Sequence, residues 1–213
     1  MIFKENWVDV SMTIEESMKV YKNKEEKKPV FTERANHETH SHHETSLSMD
    51  LHTGTHVDMP LHMIKRGKSS DDFDLDSVNG EALLIDFSDS DIEAITEDLL
   101  SSYPIREKDI LLLKTKNSCA EHFEFDFAYL DQSGAEFLAR KKIKAVGIDA
   151  LGIERDQKGH PTHKILMHED ITIIEGLNLK AVEAGRYMLL CLPLKIKSVE
   201  GLPARCLVKR IGD

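Results

Sequence analysis

Asp50-Leu-His52-Thr-Gly-Thr-His56-Val-Asp58-Met-Pro60-Leu-His62 is the stretch on which the reading of this chain turns. Three imidazoles and a carboxylate lie between His52 and His62, and His52, His56, Asp58 and His62 are separated only by even numbers. Side chains two apart on an extended strand share a face. An extended segment here would aim four metal-competent or proton-competent groups at one point. Gly54 removes a side chain between two of the histidines, so the backbone can bend or approach closely there. Pro60 stops the strand after Asp58 and sets where His62 points. Neutral imidazole and carboxylate oxygen suit zinc, manganese and related divalent ions. This is the composition of a hydrolytic metal site.

His52, His56 and Asp58 alone do not fill a coordination sphere, so further donors are expected far along the chain. His160-Pro-Thr-His163 and Ile173-Ile-Glu175 are the best candidates. One neutral histidine and one anionic glutamate would complete the set, and one carboxylate could bridge two ions. The remaining histidines carry less. His37, His40, His42 and His43 cluster without strand register and read as a solvated face or loop, and His122 and His168 have no evident partner.

Working outward, 213 residues with 40% apolar and 31% charged content suit one soluble domain over residues 1–213 with a real core. No apolar run is long enough to span a bilayer. The first residues lack the charged-then-apolar order of a signal peptide, so a cytoplasmic location is expected. A net charge of −10 opposes binding to a phosphate backbone. No nucleic-acid or membrane partner is therefore expected. Cys119, Cys191 and Cys206 are odd in number and far apart, which suits reduced thiols rather than disulfides or a CxxC metal site.

Trp7-Val-Asp-Val-Ser-Met reads as a first strand, and Glu15 to Lys28 as an exposed charged loop. Glu38 to Asp58 reads as a strand pair that delivers the histidine motif. Glu81–Phe87, Asp109–Thr115 and Ala145–Asp149 are continuous apolar runs, expected as buried strands. Helical spacing is expected from Asp91 to Leu100, from Ser133 to Lys142 and from His163 to Asp170. Ser133 and Glu136 are spaced like a capping box. Ile171–Glu175, Arg186–Pro193 and Ala204–Arg210 close the chain as strands. The pattern is that of a mixed α/β domain whose sheet is covered by helices on at least one face.

His52-Thr-Gly-Thr-His56-Val-Asp58-Met-Pro60-Leu-His62 resembles the HxGTHxDxPxH signature of the cyclase-like metal-dependent hydrolases, the family of bacterial kynurenine formamidase and isatin hydrolase. The resemblance extends along the chain, through Asp9-Val-Ser, Leu111-Leu-Leu-Lys-Thr, Val146-Gly-Ile-Asp149, His163-Lys-Ile-Leu, Ile174-Glu175-Gly-Leu-Asn-Leu, Leu192-Pro-Leu-Lys and Gly201-Leu-Pro-Ala-Arg205. It implies a swivelling β/β/α fold and a divalent metal, zinc first and manganese second, with one or two ions per chain. By the same resemblance His52, His56 and Asp58 would bind one ion. Asp58, His163 and Glu175 would hold a second, Glu175 also touching the first, and His62 would be the general acid/base. His163 rather than His160 matches the family's spacing. Tyr21 sits where the family places an aromatic residue at the substrate, and relatives are commonly homodimers or homotetramers.

Two departures stand out. Lys22-Asn23 replaces the Pro-Gly that usually follows the aromatic residue, and Lys116-Asn117 replaces a glycine-containing turn. Both fall where the pocket wall is expected. The implied activity is hydrolysis of a small amide by metal-activated water, with an aryl formamide of the N-formylkynurenine type as the leading substrate. A cyclic amide such as isatin is the alternative, and a non-catalytic metal-binding protein on the same fold is a third reading. The retained His62 argues against the third, since a pure binding site needs no proton carrier.

Overall fold

The computed structural model describes residues 6–212. Its strands, in chain order, are β1 (Trp7–Asp9), β2 (Val30–Ala35), β3 (Glu44–Ser48), β4 (His56–Asp58), β5 (Gly80–Asp86), β6 (Ala94–Ile95), β7 (Ile110–Lys114), β8 (Tyr129–Leu130), β9 (Ala145–Ile148), β10 (Thr172–Glu175), β11 (Gly185–Pro193) and β12 (Gly201–Arg210). The helices are α1 (Glu97–Leu100), α2 (Gln132–Lys141) and α3 (Pro161–His168). The main sheet runs β1-β12-β11-β5-β7-β9-β10-β4, and β4 also pairs with β12. That second pairing closes β12, β11, β5, β7, β9, β10 and β4 into a ring. β5, β7, β9 and β10 are parallel neighbours, and the other junctions of the ring are antiparallel.

The parallel strands are the continuous apolar runs of the sequence, as strands covered on both faces must be. Alternate residues go to two cores. Ala82, Leu84, Ile110, Leu112, Ala145, Ile174, Leu189, Val57 and Val208 meet inside the ring. Leu83, Ile85, Leu111, Leu113, Val146 and Ile148 face outward, under Phe137 and Leu138 of α2 and Leu166 of α3. Leu112 is fully buried. Truncating such a leucine to alanine costs about 2–5 kcal/mol. The result is the expected mixed sheet with flanking helices.

Several local expectations are corrected. The pair over Glu38–Asp58 is split: β2 and β3 form a hairpin of their own, joined to no other strand among the described residues, with His37, His40, His42 and His43 exposed on its connection. The Asp91–Leu100 helix begins only at Glu97, because Ala94 and Ile95 pair with β8 and Thr96 caps the turn through Leu99 N. The Ser133–Glu136 capping box does not form. Asp131 caps α2 instead, accepting from Gly134 N at 2.8 Å, while Ser133 Oγ accepts from Glu97 N at 3.1 Å. Glu15–Lys28 is not wholly exposed, since Met18 and Val20 are buried and anchor it.

Candidate active site

β4 carries the centre. It is three residues long, so His56, Val57 and Asp58 are extended, whereas His52 to Thr55 form turns and His62 ends the short 3-10 turn opened by Pro60. The even spacing therefore is not what gathers the four groups. Gly54, at φ +74°, bends the chain so that the His52 ring folds back onto Asp58. Gly201, paired with Asp58 on β12, leaves room for that ring; a Cβ there would lie 2.9 Å from His52 Nε2.

The distant donors arrive by strand pairing. β10 lies antiparallel to β4 with Glu175 opposite His56. Such facing residues stand close enough for their side chains to meet. Thr55 Oγ1 ties the two segments, donating to Gly176 O at 2.5 Å and accepting from Met12 N at 2.8 Å. α3 precedes β10 and brings His163 inward.

His52 Nδ1 lies 2.9 Å and His56 Nε2 3.4 Å from Asp58 Oδ1. His56 Nε2 is 3.4 Å from Glu175 Oε2, and His163 Nε2 is 3.4 Å from Glu175 Oε1 and 3.7 Å from Asp58 Oδ2. Besides a group of Glu154, His160 and His163, two donor triads result, His52–His56–Asp58 and Asp58–His163–Glu175, each of the three with its ligand atoms within 4.8 Å of one another. Asp58 belongs to both. Among the described residues, His52 Nε2, His56 Nε2 and both Asp58 oxygens are buried without a hydrogen bond of good geometry. Buried polar atoms are normally satisfied. Orphaned imidazole nitrogens and carboxylate oxygens converging on one space are the donor set a divalent cation requires, so the residues fit the group.

The electrostatics agree. Burial opposes charge on His56, but Asp58 and Glu175 overturn it and raise its pKa to about 10. Burial likewise opposes charge on His163, and Glu154 and Glu175 raise it to about 10. Burial and Asp58 push Glu175 up, yet the facing imidazoles of His163 and His56 bring it down to about 2. Burial also favours neutral Asp58, and His52 and His56 hold it well below the usual carboxylate range. Two buried carboxylates thus demand compensating positive charge, and a bound cation would take the place of the imidazole protons.

His62 stands over both triads, its ring centroid 4.1 Å from that of His52 and 6.1 Å from that of His163. It belongs to neither triad among the described residues. Burial lowers its pKa below 6.5, which leaves the ring neutral at pH 7. Tyr21 lies at the rim. Burial, then the carboxylates of Glu175, Asp156 and Glu154, raise the pKa of its phenol. His160 stands apart from Asp58 and Glu175, more than half exposed, with Nδ1 3.6 Å from Glu154 Oε1. Of the two histidines the residue pattern left open, His163 is the one that joins Asp58 and Glu175.

Sequence reasoning missed two groups. Phe123, Phe125 and Phe127 form an aromatic cluster with Tyr21: the Phe123 centroid lies 5.0 Å from Tyr21, 5.2 Å from Phe125 and 5.5 Å from Phe127. Their alternation with Glu124 and Asp126 was the available signal. The two departures from the family pattern pin this strap. Asn23, in the left-handed conformation asparagine tolerates, donates from Nδ2 to Phe123 O and accepts from Phe123 N. Asn117, buried, donates to Ala128 O at 2.8 Å and accepts from Ala128 N at 3.1 Å. The second missed group is Glu154, whose role no spacing announced.

A family model described as putative cyclase matches residues 8–155. A kynurenine formamidase from Salinibacter ruber is 30% identical over 97% of this chain and 98% of its own length. A solved structure described as a potential metal-dependent hydrolase with cyclase activity superposes with a TM-score of 0.90 at 42% identity, covering 97% of this chain and 98% of that one. Isatin hydrolase A from Labrenzia aggregata shares the fold, with a TM-score of 0.83 at 23% identity over 97% and 94% of the two chains. The enzyme class these likenesses define is the metal-dependent amidohydrolase. This chain belongs to the putative cyclase family.

Proposed function

We propose that this enzyme hydrolyses the C–N bond of a small aryl amide, with an aryl formamide of the N-formylkynurenine type as its best substrate. The observation that carries the reading is Asp58 shared between two donor triads beneath the His62 ring. Similarity to a kynurenine formamidase over nearly the whole of both chains supports it, as does the aromatic strap beside the donors.

His52, His56 and Asp58 would hold one cation, zinc or manganese, and Asp58, His163 and Glu175 a second. Such ions acidify water to a pKa of roughly 7 and polarise a carbonyl. Neutral His62 takes the proton of the attacking water and delivers it to the departing nitrogen, so that a C–O bond forms as the C–N bond breaks. Tyr21, Phe123 and Phe127 would hold the aryl ring edge to face and keep bulk water away from it.

The test is a panel of N-formylkynurenine, formanilide, isatin and phenyl esters, offered to protein of defined zinc or manganese content. The expected result is formate release from the formamides. Faster opening of isatin would replace the aryl formamide by a cyclic amide, and no turnover of any member would sink the amidohydrolase reading.

A further inference from the structure

Glu154 is buried in the loop after β9, and no step above uses it. Its Oε2 lies 2.9 Å from two atoms of one residue, the backbone N and the ring Nδ1 of His163. The side chain is 1% exposed. The backbone bond has a local cause. His160, at the N-cap of α3, is in the left-handed region and makes no capping bond, so the first N–H groups of the helix need an outside acceptor. Glu154 supplies it at His163, the third residue of α3, and its charge suits the positive end of the helix.

The ring bond has a chemical consequence. A carboxylate accepts only, so the atom facing it must be a protonated Nδ1. In a neutral imidazole the lone pair is then on Nε2. That is the atom 3.4 Å from Glu175 Oε1 and 3.7 Å from Asp58 Oδ2. The preceding peptide works on the same triad, since Ile153 N donates to Glu175 Oε1 at 2.6 Å. One loop thereby orients two of the three donors.

We propose that Glu154 is the positioning carboxylate of the Asp58–His163–Glu175 triad: it caps α3 and locks the Nδ1–H form of His163, so that Nε2 faces the cation. The inference rests on the reading that this triad holds a metal ion. Groups that orient a ligating histidine typically matter by about 10–100-fold in metal affinity.

The test uses the full chain, with Glu154→Ala and Glu154→Gln variants. Calorimetric zinc titration reads the two triads, and nitrogen-15 spectra of the histidine rings read His163 before and after zinc. Expected is a slowly exchanging Nδ1–H on His163 in both states of the parent. Glu154→Ala should lose that signal and weaken the second zinc roughly 10–100-fold, with the first unchanged. Glu154→Gln keeps an acceptor oxygen, so it should retain the proton and most of the affinity. It also keeps the comparison alive if the alanine variant fails to fold. An Nδ1 without its proton, or a second zinc held as tightly in both variants as in the parent, would overturn the proposal. A parent chain that takes up no second zinc would refute the two-ion reading instead, and the Nδ1–H signal would then decide the role of Glu154 by itself.

Discussion

Gly54 and Gly176 meet backbone against backbone: a Cβ built on Gly176 would overlap the carbonyl oxygen of Gly54. Both adopt positive φ, +74° and +67°. The contact seats the turn that carries His52 and His56 against the end of the strand that carries Glu175. Gly176→Ala therefore forces the two donor segments apart besides straining its own backbone. It should lower stability by more than ~1 kcal/mol and reduce bound metal. Urea midpoints and metal content measure both, and a variant with parental values would show that the close approach is dispensable.

His62 overhangs the donors without joining them. His62→Ala is expected to keep its metal and lose turnover by roughly 10²–10⁴-fold. Elemental analysis beside kinetics separates the two effects. Parental turnover in the alanine variant would remove the proton-transfer role, and parallel loss of metal would reassign His62 as a ligand.

Stripping the protein with a chelator should abolish hydrolysis, and zinc or manganese should restore it. The stripped protein should also melt earlier. An ion at 100 times its dissociation constant stabilises the folded state by about 2.7 kcal/mol. Hydrolysis that survives exhaustive chelation would contradict the assignment of the triads.

Asn117 bonds both the carbonyl and the amide of Ala128 from a buried position. Asn117→Ala leaves these groups unsatisfied, at about 1–3 kcal/mol each. The aromatic strap should loosen, raising KM for aryl amides more than it lowers kcat. Equal KM in parent and variant would mean that the strap does not touch substrate.

Asp86 pairs with Lys114, Nζ to Oδ2 at 2.8 Å, on the rim of the sheet. Burial alone would raise its pKa, but Lys114 and Ser88 hold it below the ordinary 3.8. A carboxyl depressed in the folded state stabilises above its unfolded pKa, and that contribution fades as pH falls through the folded value. Asp86→Asn should thus cost up to ~1 kcal/mol near neutrality and progressively less below the ordinary carboxyl pKa. Urea unfolding at neutral and acid pH reads the difference; a cost that grows on acidification would refute the pairing as its source.

The residues differ in how plainly the sequence announced them. The strands from Ile110 to Lys114 and from Ala145 to Ile148 were legible because burial on both faces leaves unbroken apolar runs. His52, His56 and Asp58 were legible from residue type, yet the face-sharing argument holds only for His56 and Asp58 on β4, and the left-handed turn at Gly54 brings in His52. Glu175 and a histidine at 160 or 163 were candidates by residue type, and the family resemblance favoured His163 over His160. Glu154 escaped notice, and Asn23 and Asn117 stood out only as departures from the family pattern, because a carboxylate or amide that bonds the backbone of another segment leaves no periodic trace. Asp131 displaced Ser133 as a cap for a similar reason: Ser133 is engaged by Glu97, from a different helix.

The position of β4 sets the order in which the catalyst can come into being. It is clasped on one side by β10 and on the other by Gly201–Pro203 of β12. A nascent chain that has emerged only as far as the histidine motif owns His52, His56 and Asp58 without the downstream donors or the walls that aim them. Competence must wait until β10 and β12 have been made and have docked on β4, more than a hundred residues after the motif itself.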